Sequence, residues 1–207
     1  MSRVRPILFN NDMVRAILDG RKTVARRCVK ARSKNACGFY VTFRKSDNAF
    51  MGVYDYDENE RQFDSSQTPP YQPGDILYVR EAWEEWTCGY LYRAWPDGIC
   101  QPGAWKDMPW RPSIHMPREA ARIWLKVTDV RVERLQEITP EQIIKEGTTG
   151  FDAEHLEVLG EHYDIPFATL WDSTIKKSDL DLYGWAANPW VWVIEFEPCG
   201  KPDGWPE

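Results

Sequence analysis

Asp19-Gly20-Arg21-Lys22-Thr23-Val24-Ala25-Arg26-Arg27 joins a short amphipathic segment to an extended one. Upstream, Met13, Val14, Ile17 and Leu18 fall at helical spacing. They predict a helix over 11–18, with Asn10 or Asn11 as N-cap and Gly20 just past its end. Downstream, Thr23 to Val29 reads as a strand. Arg21, Lys22, Arg26 and Arg27 therefore leave a helix end together. Cations suit the negative end of the helix dipole, by a few tenths to ~1 kcal/mol each. That accounts for Arg21 and Lys22 but not for the pair that follows. Two readings of the stretch stay open: a loop facing an anion or a nucleic acid, and a solvated basic surface.

The net charge of −6 speaks against a nucleic-acid binder, but its distribution does not. Residues 1–34 hold ten Lys or Arg against two acids, a net of +8 that leaves −14 for the rest. A local field matters more to a polyanion than the overall balance does. An acidic body disfavours long duplex wrapping, so a small site is the better fit. The 207 residues suffice for one core, and 43% hydrophobic with 28% charged residues is ordinary for a globular chain. Eleven Trp is a high number, and indole serves both as core and as a stacking surface for bases. No apolar run approaches the ~20 residues needed to span a bilayer, and no signal-peptide pattern opens the chain. A cytoplasmic protein is expected.

Five cysteines, Cys28, Cys37, Cys88, Cys100 and Cys199, form no CxxC pair, which argues against a disulfide framework. His115, His155 and His162 are not spaced with them as zinc ligands. No metal or organic cofactor is implied. Cys88 and Cys100 flank a Gly- and Pro-rich loop and could approach one another.

Around this stretch the chain reads as short strands with few helices. Pro6 to Phe9 is a strand, and residues 39–43 and 52–54 form a hairpin across Ser46-Asp47-Asn48. Residues 57–73 read as a loop, and Ile76 to Glu81 as a strand entered through Pro73-Gly74-Asp75. Residues 83–117 are irregular, a Trp-rich insertion carrying Trp83, Trp86, Trp95, Trp105 and Trp110. Ala121 to Glu133 alternates as a long strand with a bulge near Thr128-Asp129. Thr139-Pro140-Glu141-Gln142 is a capping box starting a short helix that Gly147 ends. A second helix from Ile165 to about Ile175 carries Phe167, Leu170 and Trp171 on one face. Trp190 to Phe196 is apolar on both faces, as a central strand would be. The expectation is a single α+β domain over 1–207, a small mixed β-barrel with short helices.

Several of these segments together resemble the ASCH domain, a relative of the PUA-like RNA-binding barrels. They are Gly20-Arg21-Lys22-Thr23 with Arg27, the strand entry Pro73-Gly74-Asp75-Ile76-Leu77, the helix Ile138-Thr139-Pro140-Glu141 through Glu146-Gly147, and the closing Val193 to Phe196. The segment Trp110 to Arg118 is similar to ASCH proteins of phages and prophages. The likeness runs in order from about Pro6 to Glu197. It implies a PUA-like fold and a nucleoside, nucleotide or RNA partner. A monomer is expected. One branch of the family removes the acetyl group from N4-acetylcytidine, using a lysine and a threonine of the signature loop and a glutamate of the short helix. The lysine falls on Lys22, the glutamate on Glu146, and the threonine on Ala25.

Amide hydrolysis needs an activated nucleophile, a proton for the leaving amine and a stabilised oxyanion. Lys22 and Glu146 match two of these roles, while Ala25 offers no hydroxyl. Thr23 lies ~6–7 Å along the strand and does not substitute. Weak or absent deacetylation with retained nucleoside binding is therefore expected. The plainer alternative makes Lys22 and Glu146 an ordinary ion pair, contributing ~0–1 kcal/mol if partly exposed. Arg21, Thr23, Arg26 and Arg27 are the expected substrate-facing residues, with Glu81 beside the cleft and Trp83 for base stacking. His115 is read as a packed or surface histidine. A ribonuclease and a protein-interaction module using the Trp-rich insertion remain as other classes, though no His pair supports the former.

Overall fold

In a computed structural model, residues 3–87, 89–94, 108–148 and 163–205 are described. Strands β1 (Val4–Leu8), β2 (Val24–Cys28), β6 (Ile76–Arg80), β9 (Trp124–Arg134) and β10 (Trp190–Cys199) form one sheet, in the order β1-β6-β9-β10-β2. β1 runs parallel to β6, and the other pairs are antiparallel. A second sheet contains β3 (Gly38–Phe43), β4 (Phe50–Tyr56) and β5 (Gln62–Gln67), and a two-stranded ribbon pairs β7 (Trp83–Trp86) with β8 (Gly89–Tyr92). The helices are short: α1 (Asn11–Leu18), α2 (Pro140–Lys145), α3 (Ile165–Thr174) and α4 (Leu180–Tyr183). None of the described helices is long and apolar enough to cross a membrane.

The expected barrel does not close. Among the described residues β1 and β2 are the two free edges of the larger sheet, and no ladder joins it to the smaller one. The reason lies in β10, which is covered on both sides. Trp192, Ile194 and Phe196 enter one core with Ile7, Val14, Ile17, Leu77 and Leu125, against which Phe39, Val41 and Phe50 of the smaller sheet pack. Val191 and Val193 enter the other core, with Ile143, Phe167 and Trp171. A sheet with a helical layer on one face and a second sheet on the other needs no closure to bury both faces. Strand β2 is divided the same way: Val24 joins the helical side and Ala25 the opposite core.

Two polar or irregular stretches turn out to be strands. Residues 62–67 lie inside the expected loop, yet they pair with β4, and buried Gln67 donates to buried Asp55 at 2.6 Å. The front of the Trp-rich insertion is the β7–β8 ribbon, with Trp83 opposite Tyr92 and Glu84 opposite Leu91. Its signal was masked because Glu84-Glu85 interrupts the apolar alternation. Trp95, Trp105 and the approach of Cys88 to Cys100 lie outside the described residues. The bulge in β9 falls at Thr128, which the ladder skips between Asp129 opposite Glu195 and Val127 opposite Phe196.

Candidate functional site

Helix α1 begins with Asn10 Oδ1 accepting from the Met13 amide at 2.9 Å. It ends where the Gly20, Arg21 and Lys22 amides fold back onto the Ile17 and Ala16 carbonyls. Gly20 makes that reversal at φ +73°, a conformation other residues adopt only at a cost. The Thr23 amide then donates to the Lys145 carbonyl, which fastens the start of β2 to the end of α2. Gly147 completes the junction at φ +72°. A Cβ there would lie 2.6 Å from Lys22 Cβ and 2.9 Å from Ala16 Cβ, so only glycine lets the two segments approach so closely. Arg21 spans the junction from outside, donating to the Gly147 carbonyl and pairing with Asp19.

The result is a buried ion cluster. Lys22 Nζ donates to Glu146 Oε2 at 2.6 Å and to the Glu146 carbonyl at 3.0 Å. Arg26 Nη1 donates to Glu146 Oε1 at 2.7 Å, and Arg26 Nη2 to Gln142 Oε1 at 2.8 Å. Lys22 and Arg26 are 3% and 4% exposed, so these two form neither a solvated surface nor a partly exposed pair, whereas Arg21 of the same stretch is exposed. Two cations thus share one carboxylate. Burial pulls Lys22 below its ordinary value; Glu146 opposes this, while Arg27 and Arg26 add to it. Burial alone would push Glu146 up, yet Lys22 and Arg26 hold it below the usual carboxylate range. The network continues outward through Glu133, 3.8 Å from Arg26, to Arg131, Asp129 and Glu195.

Above the cluster is a cavity of about 220 Å3. Lys22, Arg26, Arg27, Glu146 and Gly147 border it on one side, Asn10, Asp12 and Met13 of the α1 entry on another. Helix α3 closes it with Phe167, Leu170, Trp171 and Thr174, and Thr148 follows Gly147 on its wall. Arg27 is fixed by donating to the Leu8 and Arg26 carbonyls, with its guanidinium 5.5 Å from the Phe9 ring centre. Sites for drug-sized ligands run to roughly 300–1,000 Å3. At about 220 Å3 this one lies just below that range.

The structure brings Lys22, Arg26, Arg27 and Glu146 together as expected from the sequence, and sets others apart. Thr23 and Arg21 hold the junction without lining the cavity. Ala25 is 1% exposed in the core on the opposite face of β2 and paired with Ile194, so the position offers the cavity no side chain. Glu81 is fully buried elsewhere, held by both nitrogens of the Arg122 fork at 2.9 Å. Trp83 is buried against Met116, Ala120, Tyr90 and Tyr92. Neither Glu81 nor Trp83 borders the cavity. His115 is exposed. The aromatic wall comes instead from α3, whose Phe167, Leu170, Trp171 and Thr174 recur at i, i+3, i+4 and i+7. That stripe was legible, but nothing in it distinguishes a cavity wall from core. Gln142 was legible only as a cap.

Fold and site define a mixed α+β protein in which an open sheet and three short helical segments border a small cavity floored by an ion cluster. Comparison with protein-family models, with curated proteins and with solved structures returns no match for the chain.

Proposed function

We propose that the cavity binds one nucleoside or nucleotide, or the terminal nucleotide of an RNA, in a cytoplasmic protein of ASCH-like, PUA-related build. The observation that carries this reading is the floor in which Lys22 and Arg26 share Glu146 beneath Phe167 and Trp171. An excess of positive charge with spare N–H donors takes a carbonyl or phosphate oxygen. Aromatic walls take the face of a base. Burial of Lys22 and Arg26 keeps them from gripping a phosphodiester backbone on the surface, which favours a monomeric ligand over a long strand.

Hydrolysis of an N-acyl amide such as N4-acetylcytidine is the second reading, favoured by one observation. Lys22 is a desolvated amine beside a carboxylate on the cavity floor, the setting in which lysine serves as a base. With residue 25 in the core, the attacking group would be water. The test is titration of the protein with cytidine, cytidine monophosphate and N4-acetylcytidine, following tryptophan fluorescence and, by chromatography, cytidine release. A saturable change lost in Trp171→Ala supports binding. No saturable change with any of the three at millimolar concentration sinks it. Cytidine release lost in Lys22→Met adds the hydrolytic reading.

A further inference from the structure

Charge around the cavity is unevenly paired. Lys22, Arg26 and Arg27 border it with one buried carboxylate, Glu146. Both oxygens of that carboxylate are engaged, Oε2 by Lys22 at 2.6 Å and Oε1 by Arg26 at 2.7 Å. Among the described residues no carboxylate is in ion-pair contact with Arg27, whose guanidinium donates to the Arg26 and Leu8 carbonyls. Asp12 is the other acid on the cavity, but its side chain is 84% exposed and paired with Arg15 at 3.5 Å. Glu133, Asp129 and Glu195 compensate Arg26 and Arg131 farther out, and none of the three borders the cavity.

The donors are unevenly matched as well. Held 2.6 Å from a carboxylate, Lys22 is an ammonium with three N–H bonds. Two of them meet Oε2 and the carbonyl of Glu146. The third has no acceptor oxygen among the described residues. The Phe9 ring, its centre 5.7 Å from Nζ, supplies a cation–π attraction there and nothing more. The Lys22 side chain is only 1% exposed. A buried cation with a free donor is costly until an acceptor reaches it, and an anionic acceptor bonds it most strongly.

We infer, on the reading of this cavity as a nucleotide site, that its ligand is a phosphomonoester bound with the phosphate inward. The phosphate oxygens accept from Lys22 Nζ and the Arg27 guanidinium, and the ring of the ligand lies against Phe167 and Trp171. At pH 7 a phosphomonoester brings a charge of about −1.5 to −2 and three acceptor oxygens. That matches the excess of cations over Glu146 on the floor. A carboxylate leaves part of the excess unmatched, and an uncharged nucleoside leaves all of it.

The test is calorimetric titration of the full chain at pH 7 with cytidine monophosphate, cytidine, phenyl phosphate and benzoate. Cytidine monophosphate is expected to bind roughly tenfold or more tighter than cytidine. Equal affinity overturns the inference and leaves the nucleoside site standing. In Arg27→Gln, shown folded by circular dichroism, most of that advantage should vanish while cytidine affinity holds; an unchanged advantage also overturns it. Phenyl phosphate should bind tighter than benzoate, and benzoate binding as tightly or better overturns the choice of phosphate. Binding of phenyl phosphate without either cytidine compound supports the phosphate floor and removes the nucleotide reading. Silence from all four ligands removes both.

Discussion

Gly20 and Gly147 share almost the same backbone, φ +73° and +72°, but differ in what surrounds them. A methyl group on Gly20 meets nothing within 4 Å, whereas one on Gly147 would sit 2.6 Å from Lys22 Cβ and 2.9 Å from Lys22 Cα. Alanine at either position bears the left-handed conformation, roughly 1–2 kcal/mol. At Gly147 the overlap adds an overpacking cost of about 1–3 kcal/mol, because Lys22 cannot yield without leaving Glu146. Gly20→Ala should therefore lose ~1–2 kcal/mol and Gly147→Ala roughly 2–5 kcal/mol. The assay is urea unfolding of both variants by far-UV circular dichroism, with the denaturant slope checked to be unchanged. Equal losses would refute the claim that backbone approach at Gly147 fixes the lysine. The pair of variants makes the test internal, since the conformational cost cancels between them.

Other outcomes follow from the same geometry. Glu146→Ala leaves two buried cations without their carboxylate and should cost about 3–5 kcal/mol in urea unfolding, more than Asp19→Ala at the exposed Arg21 pair. Because Glu146 is held below its unfolded value of 4.5, its stabilisation is complete above that pH. It is lost as pH falls through the folded value. Stability profiles of the natural chain and Glu146→Gln should therefore converge in acid and separate toward neutrality; parallel profiles would contradict this. Ala25→Thr buries a hydroxyl in apolar surroundings, which predicts a loss of roughly 1–3 kcal/mol and no gain in cytidine release from N4-acetylcytidine. Trp171→Ala removes a stacking face worth ~1–3 kcal/mol and should weaken cytidine monophosphate binding about tenfold or more in the fluorescence-independent readout of calorimetry.

Local chemistry made much of the fold readable. The helix over 11–18, its Asn10 cap, the capping box at Thr139 and Gln142, and the two-faced apolar run of β10 all stand where short-range rules put them. Long-range choices did not show. Apolar residues on both faces of β10 are demanded equally by a barrel wall and by a sheet between two layers, and only the partners of β1 and β2 decide between them. Strand β5 was hidden because its pairing is made by main chain, with Ser, Asp and Gln in place of β-branched residues. In the site, the charges of Lys22, Arg26 and Glu146 could be found by type and spacing. The orientation of residue 25 could not, since strand parity alone does not say which of two cores a small residue enters. Glu81 and Trp83 were drawn into the cleft by their place at a strand end, and Arg122 and Met116, which hold them elsewhere, come from distant sequence.

Gln142 Oε1 accepts from the Thr139 amide at 3.1 Å and from Arg26 at 2.8 Å, so one oxygen belongs both to the start of α2 and to the cavity floor. Opening the first turn of that helix releases Arg26, and a ligand that orders Arg26 holds the turn shut. Occupancy of the cavity and protection of backbone amides in α2 are then one equilibrium seen from two ends. Amide hydrogen exchange at Gln142 and Ile143 should slow as the cavity fills, with no contact between those amides and the ligand.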